Sequence, residues 1–253
     1  MVRRTILVAA SVVVIALGAA SCGTSRAPQA DHHHTHRVHT VAAASGLALL
    51  PPGNTYTASL KGNTPGSPAA GAPANQTVPG TWYGYQSVLP IIGEKGSWVE
   101  VRLAQRPNES VAWIKKSAVA ILGLTQYRIV VNLTTMHLTV FQNNAQILDF
   151  PAGIGTPDDP TVTGQFFVTM TVPPPNAGYG SFVLVTSAHS DAITDYEDSG
   201  DAIIAIHGPI TSADDALIGT SGAAISHGCI RLHDADLAQL NVIPAGTPVD
   251  IVA

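Results

Sequence analysis

From Thr81 to the C-terminus, apolar residues come in short β-type runs broken every few positions by Gly, Pro or Asn. Tyr127 to Leu133, Met136 to Phe141, Gln165 to Met170, Phe182 to Val185 and Ala202 to Ile206 are such runs, rich in β-branched and aromatic residues. That texture predicts a mainly β chain with one or two short helices. Asn143-Asn144 sits between two of the runs as a tight turn, because Asn tolerates the left-handed backbone that such turns demand. Asp234 is a candidate N-cap for a short helix that carries Leu237 and Leu240 on one face.

The beginning of the chain reads differently. Arg3 and Arg4 precede an uncharged apolar run from Thr5 to Leu17, and small residues then lead to Cys22. This is the layout of a signal peptide over residues 1–21. The run is too short for an ordinary membrane-spanning helix, which needs about 20 residues. Small residues running into Cys22 also resemble the lipobox of bacterial lipoproteins, although Ala19 stands where Leu is usual. That resemblance implies lipidation of Cys22, a membrane anchor, and an exported protein at the outer face of the cytoplasmic membrane and in the cell wall.

Residues 22–80 are expected to form a flexible, lipid-anchored linker. Half of the ten histidines crowd into the stretch from His32 to His39, which reads as solvated tether because nothing nearby fixes a metal geometry. Pro51 to Gly80 is rich in Pro, Gly, Ser, Thr, Ala and Asn. Residues 81–122 hold all three tryptophans among short strands and turns, and they resemble a bacterial SH3-like module, a small barrel. With 11% charged residues and a net charge of -5, nothing suggests a nucleic-acid partner.

Chemistry concentrates in two places. The apolar strand ending at Ile206 runs into His207-Gly208-Pro209, and a Gly-, Ser- and Thr-rich loop then leads to Ile225-Ser226-His227-Gly228-Cys229-Ile230-Arg231-Leu232. If Cys22 is lipidated, Cys229 is the one free thiol of an exported chain, where cysteines usually pair. A strand-end imidazole and a free thiol suit nucleophilic catalysis, since a protonated His partner can lower the thiol pKa from about 8.5 by several units. Gly228 leaves the backbone open where an oxyanion would need amide donors.

His207-Gly208 followed by Ser226-His227-Gly228-Cys229-Ile230-Arg231 closely resembles the signature of the L,D-transpeptidase (YkuD-type) catalytic domain. The resemblance covers 125–253, about half the chain. It implies that Cys229 is the nucleophile and His207 its base, with the Gly208 carbonyl orienting the imidazole in place of a carboxylate. It also implies an oxyanion hole from amides around His227, Gly228 and Cys229. Ser226 and His227 would shape the loop and the substrate pocket, and Arg231, where many members have Asn, would support the site or hold a substrate carboxylate. Substrates would be peptidoglycan stem peptides joined by 3→3 links. Carbapenem β-lactams would inhibit, and neither metal nor cofactor would be needed.

Two departures stand out. Thr161-Val162-Thr163-Gly164-Gln165-Phe166 lacks the Pro usual in the family's T-P-x-G-x-F stretch, and the segment between His207 and Cys229 is long. The resemblance makes Val172 to Gly180 and His189 to Asp201 a lid, with Tyr179 and Phe182 as candidate groove-lining residues and His189 expected in solvent. Other readings stay open on sequence: an L,D-carboxypeptidase, or a catalytically silent wall-binding lipoprotein.

Overall fold

The first sheet is built around a strand from the segment expected to be tether. The computed structural model describes residues 46–196 and 200–253, so Cys22, the apolar run from Thr5 and the His-rich stretch lie outside the described residues. Strands run in chain order as β1 (Thr55–Leu60), β2 (Thr64–Gly66), β3 (Gln76–Val78), β4 (Thr81–Trp82), β5 (Tyr85–Gln86), β6 (Val88–Lys95), β7 (Trp98–Arg102), β8 (Val111–Lys115) and β9 (Val119–Thr125). Five of them form one sheet in the order β8-β7-β6-β1-β9. β1 thus lies between two partners, pairing Ala58 with Leu89 on one side and with Leu122 on the other.

The linker expected over 22–80 is therefore folded sheet from Thr55 onward. Its composition misleads because close backbone packing demands small side chains there. A Cβ added at Gly123 would sit 2.6 Å from Thr57 Oγ1, and one at Gly246 would sit 2.6 Å from Thr57 Cγ2. Ala58 and Leu60 nevertheless join Val78, Leu89, Val99, Val101 and Ile114 in a buried core.

The second half continues as β10 (Tyr127–Asn132), β11 (His137–Gln142), β12 (Ala145–Pro151), β13 (Ile154–Gly155), β14 (Gly164–Val172), β15 (Val183–His189), β16 (Ile203–His207), helix α1 (Ser212–Asp215), β17 (Ala224–Ser226), β18 (Ile230–Arg231), helix α2 (Asp234–Gln239) and β19 (Pro248–Val252). Eight of these strands make a sheet in the order β12-β11-β10-β19-β14-β15-β16-β18, and β13 pairs with β17 beside it. Asn143 and Asn144 have φ of 50° and 65°, the turn expected between β11 and β12. The N-cap of α2 is His233, one residue before the position expected; Asp234 occupies the first turn, where a carboxylate complements the helix N-terminus. Leu237 and Leu240 are fully buried, in a core shared with Ile129, Leu138, Ile206 and Ile230.

The two sheets are not beads on a string. Phe167 belongs to β14 of the second sheet, yet its side chain is buried in the core of the first. Asn108 clasps the backbone of His189 from both sides: Nδ2 donates to the His189 carbonyl at 2.8 Å and Oδ1 accepts its amide N–H at 2.9 Å. Arg106 Nε reaches Asp201 at 2.9 Å, and the Thr125 and Thr247 hydroxyls meet at 3.1 Å in the interior. Replacing Phe167 by Ala is expected to cost about 3–5 kcal/mol, because the ring fills a site that two sheets close around. Urea denaturation followed by tryptophan fluorescence and by circular dichroism would show both signals shifting together.

Candidate active site

His207 is the last residue of β16 and is buried. Its Nδ1 donates to the Gly208 carbonyl at 2.7 Å. A carbonyl can only accept, so the proton sits on Nδ1 and Nε2 carries the free lone pair. The Gly208 amide N–H donates in turn to the Tyr179 carbonyl at 2.8 Å. Nothing larger than Gly fits: a Cβ at 208 would lie 2.6 Å from Asp234 Oδ1, 2.8 Å from the Gly180 nitrogen and 2.9 Å from the Tyr179 carbonyl carbon. The Tyr179 ring lies over the imidazole, with centroids 4.5 Å apart and planes at 38°.

Cys229 reaches this histidine through the sheet. β16 and β18 pair in parallel, with Ile206 opposite Ile230 and His207 opposite Arg231, so Cys229 enters the ladder beside Ala205. The thiol is free and partly exposed. The loop before it is tied from within and from outside. Ser226 Oγ donates to the Cys229 carbonyl at 2.6 Å and accepts the Gly228 amide at 3.1 Å. Thr161 Oγ1 donates to the Gly228 carbonyl at 2.8 Å and accepts the Gly155 amide at 2.8 Å. Gly228 has φ of 112°, which a side chain would strain. Its amide N–H donates to Ser226 Oγ and is therefore already engaged.

The surroundings shift both side chains toward their neutral forms. Burial lowers the His207 pKa to about 4, outweighing the upward pull of the Gly208 hydrogen bond, and the Arg231 charge lowers it further. Burial also raises the Cys229 pKa above its ordinary value, against downward pulls from the Ala205 backbone and Arg231. Both shifts favour the neutral thiol and imidazole over the thiolate–imidazolium pair that the sequence suggested. No direct hydrogen bond joins Sγ to the imidazole, although both face one cavity of about 400 Å³.

Arg231 is buried, and its guanidinium is held by Asp214 of α1 at 3.0 Å, within the long segment that separates His207 from Cys229. Arg231 Nε has no hydrogen-bond partner. His227 is 61% exposed at its side chain, with Tyr196 5.9 Å away ring to ring. Tyr179, Tyr196, His227 and Arg231 also line the cavity. Phe182 packs against the core instead of the cavity. His189, expected in solvent, is buried, with Nδ1 2.8 Å from Asp201 Oδ2 and its ring edge-on to Trp82. Burial pushes the Asp201 carboxyl up, but hydrogen bonds from His189, the Ala202 amide and Arg106 bring it below its ordinary value.

Sequence reasoning missed Thr161, Asp214 and Tyr196. Thr161 had a signal, because it opens the stretch that departs from the family pattern. Asp214 and Tyr196 had none, since only the folded loops bring them to Arg231 and His227. Among the described residues, no group of three or more His, Cys, Asp or Glu is placed to hold a metal ion.

Residues 126–251 match the family model described as the L,D-transpeptidase catalytic domain, YkuD. The YkuD protein of Bacillus subtilis (strain 168) is 29% identical over 126 residues, which is 49% of this chain and 65% of that protein. This chain thus spans less than two thirds of the relative's length. Among solved structures, an L,D-transpeptidase from Mycobacterium smegmatis is 16% identical with a TM-score of 0.39, covering 62% of this chain and 91% of that one. L,D-transpeptidase 3 from Mycobacterium tuberculosis, in complex with a faropenem-derived adduct, is 14% identical with a TM-score of 0.40 over 62% and 91%. At these TM-scores the structural likenesses add no argument to the family match.

Two outcomes follow from the neutral pair and the packed glycine. Alkylation of Cys229 by iodoacetamide should be slow at pH 7 and rise through pH 9 without a plateau near neutrality, because the thiolate forms only above the ordinary thiol pKa; a plateau below pH 7 would indicate an ion pair. Gly208→Ala should, if the chain stays folded, displace the carbonyl that His207 Nδ1 donates to, and any catalytic step that uses this imidazole should slow at least about 100-fold. Turnover and a thermal melt, read side by side, check this.

Proposed function

Residues 126–251 belong to the YkuD family of L,D-transpeptidase catalytic domains, and on that premise we propose that this chain is a cysteine acyltransferase that forms 3→3 links between peptidoglycan stems. The observation that carries the reading is the His207 tautomer, held by the Gly208 carbonyl through Nδ1, in a residue that lines the same cavity as Cys229. Nε2 takes the thiol proton as Sγ attacks the carbonyl between the third residue of a tetrapeptide stem and its terminal D-Ala. The tetrahedral oxyanion is met by the His227 and Cys229 amides. His207 gives its proton to the leaving D-Ala amine, and the carbonyl and sulfur remain joined as a thioester.

The side-chain amine of a neighbouring stem's third residue then attacks the thioester. His207 accepts a proton from that amine, the new amide forms, and the thiol is regenerated. With its pKa lowered to about 4, the imidazole is unprotonated across neutral pH but only a weak base, so the thiol proton passes to it in step with Sγ attack and not before. Ser226 and Thr161 hold the loop while charge develops, and Arg231, fixed by Asp214, keeps a positive charge close to the thiol sulfur. Carbapenems would acylate Cys229 by the same attack. The signal-peptide-like start and Cys22 support export and a lipid anchor, and the strands around β6 to β8 support an SH3-like module.

Incubation with a purified disaccharide-tetrapeptide, followed by mass spectrometry, tests this reading. A cross-linked dimer lacking one D-Ala, absent with Cys229→Ala, is expected. Loss of D-Ala without a dimer would make the protein a carboxypeptidase. No reaction and no carbapenem adduct on Cys229 would leave the silent wall-binding lipoprotein. The acid limb of kcat/KM should fall near pH 4, where His207 takes up a proton and can no longer act as base.

A further inference from the structure

The cavity that holds Cys229 is not made by the second half of the chain alone: Tyr83 and Tyr85, from the β4–β5 hairpin, line it as well. The hairpin turns through Tyr83 and Gly84, with φ of 47° and 83°, so both turn residues have the left-handed backbone of a tight two-residue turn. Gly is at home there and Tyr is not, so the ring at 83 is presented at a conformational cost.

The hairpin is fixed to the wall of the cavity. Trp82 packs against the first core and meets the buried His189 ring edge-on at 6.5 Å, and Asn108 grips the His189 backbone from both sides. Gln86 Nε2 donates to the Leu60 carbonyl at 2.8 Å and the Gly80 carbonyl at 3.0 Å, which pins the other arm. Tyr83 and Tyr85 themselves belong to neither core and are 61% and 42% exposed. The Tyr83 ring meets Trp82 edge-on at 5.4 Å, and both tyrosines line the space that Cys229 lines. They offer ring faces and hydroxyl tips to whatever occupies the cavity.

We propose that Tyr83 and Tyr85 are specificity-determining residues that bind the acyl-donor muropeptide, so the N-terminal half of the described chain is part of the substrate site and not only an appended wall-binding module. This rests on the transpeptidase reading for the identity of the donor. A cavity of about 400 Å³ falls within the ligand-pocket range of roughly 300–1,000 Å³, room for more of the stem than its reacting carbonyl. The remaining lining near the hairpin includes Met170, Val172, Val183 and Val185, an apolar floor against which stem C–H groups can pack while tyrosine hydroxyls meet its amides.

The test is calorimetric titration of the full chain carrying Cys229→Ala, which cannot react, with a disaccharide-tetrapeptide. Adding Tyr83→Ala and Tyr85→Ala should raise Kd about tenfold or more, whereas Tyr83→Phe with Tyr85→Phe should stay within about threefold, since truncating aromatic anchors is what costs affinity. In the chain that keeps Cys229, the Ala pair should leave the melting temperature and the iodoacetamide rate unchanged, showing an intact site. The proposal is overturned if the Ala pair leaves Kd unchanged, if the unsubstituted tyrosine chain does not bind the probe, or if affinity falls only in step with iodoacetamide reactivity. Because binding is read without turnover, donor affinity that depends on the tyrosines in a chain that never cross-links would sink the transpeptidase reading and leave this one standing.

Discussion

A two-residue parallel pairing makes the site. Ile230 and Arg231 lie beside Ile206 and His207 at the edge of the large sheet, and the fully buried Ile206 and Ile230 side chains hold that edge to the core. Parallel strands cannot be joined by a tight hairpin. The chain must therefore leave at Gly208, make a crossover and return, and that return places Cys229 across from the strand that ends in His207. The crossover is itself used, because it carries Asp214 back to Arg231.

Burial sets the electrostatics of the pair. The interior that anchors the pairing penalises charge, and this pushes both imidazole and thiol toward their neutral forms. The Arg231 guanidinium, paired with Asp214, lowers both pKa values: it eases loss of the thiol proton and hinders gain of one by the imidazole. Ser226, Thr161 and the Gly208 carbonyl are neutral dipoles. They fix positions without adding charge to a place where charge is costly.

The same burial joins the two halves of the chain. Phe167 hands an aromatic ring from one sheet to the core of the other, and Asn108 ties the β7–β8 loop to the end of β15. His189 is buried at that seam, between Trp82 and Asp201. A residue read as a solvent-facing loop histidine becomes a structural contact because the first sheet covers it.

The mainly β texture, the Asn143-Asn144 turn, the buried face of Leu237 and Leu240, and the His207 and Cys229 signatures were legible in the sequence, since each depends on local spacing or on a short motif. The strand from Thr55 to Leu60 was not, because its small residues answer to Gly123 and Gly246, far away in the chain. Thr161 and Asp214 reach the Gly228 carbonyl and Arg231, and Tyr83, Tyr85 and Tyr196 reach the cavity, by paths that depend on long-range packing. Sequence by itself determined which groups could react and what kind of sheet would carry them, because hydrophobic periodicity and motif chemistry are local. Tertiary structure alone decided which proton sits where and which half of the chain shapes the cleft, because protonation depends on burial and a cleft depends on surfaces brought together from distant parts of the chain.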